Sequence, residues 1–188
     1  MLYITGYLTK SEKQPRNGKV ALVVPNKEIN QIFIQNISQW FIDTIKNQDL
    51  RPFLQSLWNG DTQTVQDTIT RILYETISYY DSAENYYHGF RAGLLRGAGQ
   101  TVTSNHESGL GRSDIIIVEG WRKRAMIIEL KRALQYEQLE AEANDGLGQI
   151  ARLKYAYGLP PQINKVLKYG IAFWKKECFV VFEESGSW

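Results

Sequence analysis

The hydrophobic pattern changes character near residue 80. Before it, apolar residues recur mostly at helical spacing; after it, they gather in short β-branched runs. The chain opens with two short apolar segments, Leu2 to Leu8 and Val20 to Val24, separated by a polar stretch containing Lys10, Lys13, Arg16 and Lys19. This predicts a strand, a long basic turn and a second strand. Pro25-Asn26 then breaks the chain, and Asn26 is placed to cap a helix carrying Ile29, Phe33, Ile37, Trp40 and Phe41. A short helix around Phe53 to Trp58 is expected to end at Asn59-Gly60. Asp61 is placed to cap another, bearing Val65, Ile69, Ile72 and Tyr80.

From Ser82 the pattern is mixed. A helix to about Gly97 carries Tyr87, Phe90 and Leu94, with Glu84 and His88 one turn apart on a shared face. A strand over Gln100 to Ser104 leads into a polar loop, Asn105 to Gly111. Two β-branched runs follow, Ile115 to Val118 and Ala125 to Ile128, around the polar turn Glu119 to Arg124. Then come a long polar helix from about Gln135 to Tyr157 and two strands, Lys168 to Trp174 and Cys178 to Phe182. The order α-β-β-β-α-β-β predicts an α/β or α+β domain over 81–188. Residues 1–80 are expected to form a small, mostly helical region with a β-hairpin.

Composition narrows this picture only modestly. With 188 residues and 43% hydrophobic content the chain can bury a core as one domain or two small ones. A net charge of +2 makes any polyanion site a local basic patch rather than a global property. The single cysteine, Cys178, excludes an internal disulfide framework. No apolar run approaches the ~18 residues of a membrane span, and MLYITGYLTK lacks the layout of a secretory leader. A soluble, cytoplasmic protein is expected.

The chemistry concentrates in the 115–128 hairpin. If its turn centres on Trp121 and Arg122, Asp114 falls directly opposite Glu129, and like charges so paired are destabilising. Glu129 and Lys131 lie two apart on one strand and share a face. Two opposed carboxylates suit a hard divalent cation, chiefly Mg²⁺ or Mn²⁺, that also carries waters and a phosphate. Such a cation polarises a phosphoryl oxygen and acidifies bound water. A neighbouring lysine then stabilises developing charge. Taken alone, so short a pattern fits solvated strand-end charges more readily than a metal site. Arg122, Lys123 and Arg124, at the far end of the hairpin, are expected to be solvated.

Ser113-Asp114 and Glu129-Leu130-Lys131 resemble the motif of the PD-(D/E)xK nuclease superfamily, with serine in place of proline. More narrowly, the chain is similar to the nuclease-like domain found C-terminal to an AAA-ATPase-like domain in many prokaryotic proteins. That likeness rests on Glu84 to Gly89, Ser104 to Asp114, Ile127 to Lys131, Gly148-Gln149-Ile150 with Lys154-Tyr155, and Tyr169 to Phe173. His106 stands where an arginine is expected. The resemblance implies a restriction-endonuclease-like core, αβββαβ with an extra terminal strand. It implies metal binding by Asp114, Glu129 and Glu84, and catalysis by these with Lys131 and Gln149. His88, Arg112, Lys154 and Tyr155 are implied substrate contacts, with Glu107 flanking the site. For each residue a plain reading competes. Glu84 also suits a solvated helix N-terminus, His88 also suits support of Glu84, and Gln149, Lys154 and Tyr155 also suit an exposed helix surface.

The implied function is a metal-dependent phosphodiesterase acting on nucleic acid, most readily DNA. The implied partner, besides nucleic acid, is an AAA-ATPase-like domain of a parent chain or of a partner protein, and a homo-oligomer is a further expectation. The N-terminal segments Leu2 to Thr9 and Val23 to Glu28 resemble the end of such a domain, although no G-x-x-x-x-G-K-[ST] occurs in the chain. The alternatives are a nuclease-fold binding module without turnover, or a module that only docks the ATPase. The basic tip at Lys10 to Lys19 suits a solvated turn better than a nucleic-acid contact.

Overall fold

The computed structural model describes residues 3–11, 20, 22–32, 49–76, 102–104, 107–108, 111–112 and 114–186. The expected helix over 82–97, with Glu84 and His88, lies outside the described residues, as do His106, Ser113 and the helix residues from Phe33 to Phe41.

Near the N-terminus a minimal ribbon pairs β1 (Thr9–Lys10) with β2 (Leu22–Val23). The first apolar segment is not a strand. Residues 3–6 form a turn in which the Gly6 N–H donates to the Tyr3 carbonyl, with Gly6 at φ 79°. The glycine's left-handed backbone interrupts what apolar content alone would extend. Asn26 caps as expected, its side chain accepting from the Ile29 N–H at 2.9 Å, and residues 27–32 are helical.

Helix α1 (Arg51–Asn59) closes on Gly60, which takes the left-handed conformation at φ 74°. Asp61 accepts from the Thr64 N–H at 3.1 Å and starts α2 (Thr62–Thr76). Both boundaries follow the capping residues. The destination of these helices is the larger finding. Phe53, Leu57, Val65, Ile69, Ile72 and Leu73 are buried in one cluster with sheet residues, so α1 and α2 share a core with the mixed second half. Each such side chain contributes ~1.5–3 kcal/mol by burial.

A mixed sheet lies beneath them, four long strands with a short fifth at one edge. Its members are β3 (Val102–Ser104), β6 (Ile115–Glu119), β7 (Arg124–Arg132), β8 (Lys165–Trp174) and β9 (Glu177–Gly186), and this is also their order across the sheet. Between β3 and β6 the expected polar loop contains a two-residue pairing of β4 (Glu107–Ser108) with β5 (Gly111–Arg112). Among the described strands only β7 and β8 pair in parallel, and helix α3 (Leu139–Arg152) makes the crossover that a parallel pair requires. This mixed α/β architecture is compatible with a restriction-endonuclease-like fold.

Alternation along the strands divides the two faces. Ile115, Ile117, Met126 and Ile128 face α1 and α2; Ile116, Ala125 and Ile127 face the α3 side with Ile150 and Tyr155. Tyr169 of β8 is fully buried and its hydroxyl donates to the Leu57 carbonyl at 2.6 Å, pinning the end of α1 to the sheet. On the edge strand β9, the Val180 N–H donates to the Gln66 side chain at 3.1 Å, so α2 covers part of an edge that would otherwise be open to pairing.

Three expectations change in detail. The helix over Gln135–Tyr157 is α3 flanked by two 3-10 turns, Tyr136–Gln138 and Tyr155–Gly158, and it stops at Arg152 because Lys154 turns left-handed at φ 54°. The two final strands are longer than their apolar runs, because their ends carry charged pairs such as Lys165–Glu184. Arg124 is not solvated: its guanidinium lies 3.9 Å from the Trp58 ring centroid and pairs with Glu119 at 2.6 Å.

Helix α3 approaches β8 at Gly170. A Cβ there would overlap the Ala143 carbonyl oxygen and lie 2.8 Å from the Leu147 nitrogen, both rigid helix backbone. Gly170→Ala is therefore expected to cost at least ~3 kcal/mol, a fall in melting temperature of roughly 6 °C or more. A melting curve within ~2 °C of wild type would show that α3 can lift off the sheet at no cost.

Candidate active site

The hairpin register follows directly from the turn. Gly120–Arg122 form a 3-10 turn and Lys123 takes the left-handed conformation, so β6 and β7 pair with Ile115 opposite Ile128 and Glu119 opposite Arg124. One step beyond the Ile115–Ile128 pair, Asp114 stands opposite Glu129, the register expected from a turn centred on Trp121 and Arg122. The two residues are cross-linked through backbone as well. The Leu130 N–H donates to Asp114 Oδ2 at 2.9 Å, and the Asp114 N–H approaches Glu129 Oε2 at 3.4 Å.

Glu129 is only 5% exposed, and a buried carboxylate needs partners that favour its charge. Gln149, projecting from α3, supplies one. Its Nε2 donates to Glu129 Oε1 and also reaches the Tyr155 hydroxyl at 3.2 Å, while its Oε1 accepts from Lys131 Nζ at 2.6 Å. One amide thus fixes the carboxylate and the ammonium together. Lys131 makes a further ion pair with Asp145 Oδ2 at 3.0 Å, and Asp145 Oδ1 pairs with Arg152 at 2.9 Å. The Lys131 stem reaches these groups beneath α3 past Gly146, where a Cβ would lie 3.2 Å from Lys131 Cγ.

The structure therefore gathers Asp114, Glu129, Lys131, Gln149 and Tyr155 on the α3 side of the sheet. Tyr155 is fully buried in the 3-10 turn after α3, and it holds Gln149 rather than facing solvent. Burial, followed by the charges of Glu129 and Asp114, pushes its hydroxyl pKa up, while the bond from Gln149 works against that rise. Lys154 is exposed and places its ammonium 5.5 Å from the Tyr157 ring centroid, away from this cluster. Arg112 lies on β5 opposite Glu107. Asp145 and Arg152 were not anticipated. The signal was present, since 145, 149 and 152 form an i, i+4, i+7 stripe on one helix face.

Asp114 and Glu129 are hard oxygen donors that suit a divalent cation. Among the described residues no group of three His, Cys, Asp or Glu is placed to bind a metal, so waters and phosphate oxygens would complete its coordination. Cysteine chemistry has no place here. Cys178 is buried on the other face, and burial pushes its thiol up to about 12. A cleft of about 520 Å³, lined by Arg51, Gln55, Trp58, Glu119 and Arg122, lies at the turn end of the hairpin, away from the carboxylates.

In this mixed α/β sheet an acidic residue just before one strand stands opposite the first residue of E-x-K on the next, the layout of the motif that the sequence resembles. The sequence model of the PD-(D/E)XK nuclease superfamily matches residues 82–183, more than half of the chain, and the chain belongs to that superfamily. Its members are usually metal-dependent nucleases, typically employing divalent ions. No curated protein matches the chain.

Two stability effects follow from the site's charges. In metal-free protein, Asp114→Asn keeps an oxygen acceptor for the Leu130 N–H and removes one of two opposed charges. It should raise stability by ~0.2–1 kcal/mol; a fall in unfolding midpoint without metal would show that the pair is not repulsive. Lys131 first, then Arg152, holds the Asp145 carboxyl below its ordinary 3.8. The resulting stability is present above that ordinary value and fades as pH falls through the lowered one. Asp145 is about half exposed, so screening keeps the effect small. Asp145→Asn should flatten the acid limb of stability below pH ~4, and a limb superimposable on wild type would rule out this contribution.

Proposed function

We propose that this chain hydrolyses phosphodiester bonds in DNA with Mg²⁺ or Mn²⁺ held by Asp114 and Glu129. The observation that carries this reading is the opposition of two carboxylates on one sheet face, one of them buried, with Lys131 tethered to the same glutamine that binds Glu129. A structural role alone gives no reason to oppose two carboxylates across a β-ladder. When bound, the cation would acidify a water and polarise the phosphoryl group.

The chain's own groups do the rest. Asp114 and Glu129 orient the ligand oxygens, each fixed by an N–H donor from a neighbouring residue. Lys131 presents an ammonium beside Glu129, where negative charge grows on the phosphoryl oxygens as the bond to water forms. Gln149 and Tyr155 keep these two groups in register, the supporting role by which outer residues tune a metal site. Glu84, implied as a further ligand by the resemblance, belongs to the same proposal, as do His88, Arg112 and Lys154 as substrate contacts. The AAA-ATPase-like partner also belongs here. It rests on the resemblance of the segments Leu2 to Thr9 and Val23 to Glu28 to the end of such a domain.

Labelled DNA incubated with Mg²⁺ or Mn²⁺ should be cleaved by wild type and not in EDTA. Asp114→Asn and Glu129→Gln should each lower the rate by about a hundredfold or more. Gln149→Ala should lower it by ~10–100-fold, with a rise in the metal concentration required. Cleavage that survives in both carboxylate variants would remove these residues from the site.

A further inference from the structure

Asp145, Gln149 and Arg152 form a polar stripe along one face of α3, and Lys131 of β7 meets it from below. The Asp145 carboxylate bridges two cations, giving Oδ2 to Lys131 at 3.0 Å and Oδ1 to Arg152 at 2.9 Å. Nothing about the aim of Lys131 requires this bridge, because Gln149 already ties the ammonium to Glu129. The bridge also stands at the solvent rim, with the side chains of Asp145 and Arg152 48% and 60% exposed. Ion pairs so exposed are weakly held and easily exchanged.

We propose that Lys131 and Arg152 form a seat for a backbone phosphate of the substrate, which Asp145 fills when substrate is absent. This rests on the nuclease reading above and assigns a further substrate-binding residue, Arg152. Two cations that share the two oxygens of one carboxylate present the same donors to two non-bridging oxygens of a phosphodiester. Guanidinium is the better half of such a seat, since its planar fork matches oxyanions. Gly146 makes the seat reachable. With no side chain there, the Lys131 stem passes under α3 and delivers Nζ to the level of residues 145 and 149. Substrate entry then exchanges one anion for another without leaving either cation unpaired.

The test is a double-mutant cycle on binding, read apart from cleavage. Wild type, Asp145→Asn, Arg152→Gln and the double variant are titrated with a short fluorescein-labelled DNA duplex in EDTA at fixed salt. Asp145→Asn should tighten binding about threefold to tenfold, and Arg152→Gln should weaken it by a similar factor. In the Arg152→Gln background the tightening from Asp145→Asn should shrink markedly, because half of the seat is gone. Equal tightening in both backgrounds would overturn the proposal in favour of a general charge effect. A fall in kcat for Asp145→Asn with unchanged binding would overturn it as well, making Asp145 a positioning residue for Lys131. If wild type cleaves DNA while all four proteins bind alike, only this inference fails. If wild type neither binds nor cleaves, the nuclease reading falls with it.

Discussion

The burial of the Glu129 carboxylate is the constraint around which this fold is arranged. A charge so placed must be met by oriented donors. One of them, Gln149, comes from a helix that has to lie close to the sheet to reach it. That closeness depends on Gly170, where any side chain would strike the backbone of α3, and on Gly146, where the helix clears the stem of Lys131. The parallel β7–β8 pair brings α3 across this face as its crossover, and Tyr155, buried just after the helix ends, steadies the glutamine. Two helix–sheet contacts without side chains thus serve one side chain that is charged and inside.

Comparison with the other buried charge sharpens the point. Among the described residues only Glu129 and Lys168 are buried and ionisable in the charged sense. Lys168 stands opposite Glu183 on the neighbouring strand and pairs with it at 2.7 Å, an arrangement that neutralises a charge locally. Glu129 instead faces a residue of its own sign across the ladder, and its donors include the uncharged Gln149 amide and the Asp114 backbone N–H. A neutral amide orients a carboxylate without cancelling it. The first arrangement sets opposite charges across the ladder, whereas the second sets two carboxylates side by side at one point of the sheet.

Much of this was legible in the chain. The turn Glu119 to Arg124 sets a register from which the Asp114–Glu129 opposition follows by counting, and the period of two puts Lys131 on the same face. Capping residues Asn26, Gly60 and Asp61 mark their helices correctly because capping is a local hydrogen-bonding property. What local pattern does not encode is docking. The apolar faces of α1 and α2 say that these helices bury something, not that they bury it against β6 to β9. The end of α3 was missed because Lys154 adopts a left-handed backbone without being glycine or asparagine. Asp145 and Arg152 read as ordinary helix polar residues until β7 is placed beneath them.

The two ends of the hairpin show why charge alone is a poor guide to function. Arg122, Lys123 and Arg124 form the densest basic run near the site, yet they close the turn structurally. Arg124 stacks on Trp58 and pairs with Glu119, Arg122 approaches the same glutamate at 3.8 Å, and the Lys123 carbonyl accepts from Asn164 and Lys165. These contacts hold the closed end of β6–β7 to α1 and to the start of β8. With one end locked, the backbone carries that rigidity along the ladder to the open end. There Asp114 and Glu129 stand opposed, each accepting from a backbone N–H of the other strand. The basic turn therefore acts on the site mechanically, through the register it enforces, and not through the charge it displays.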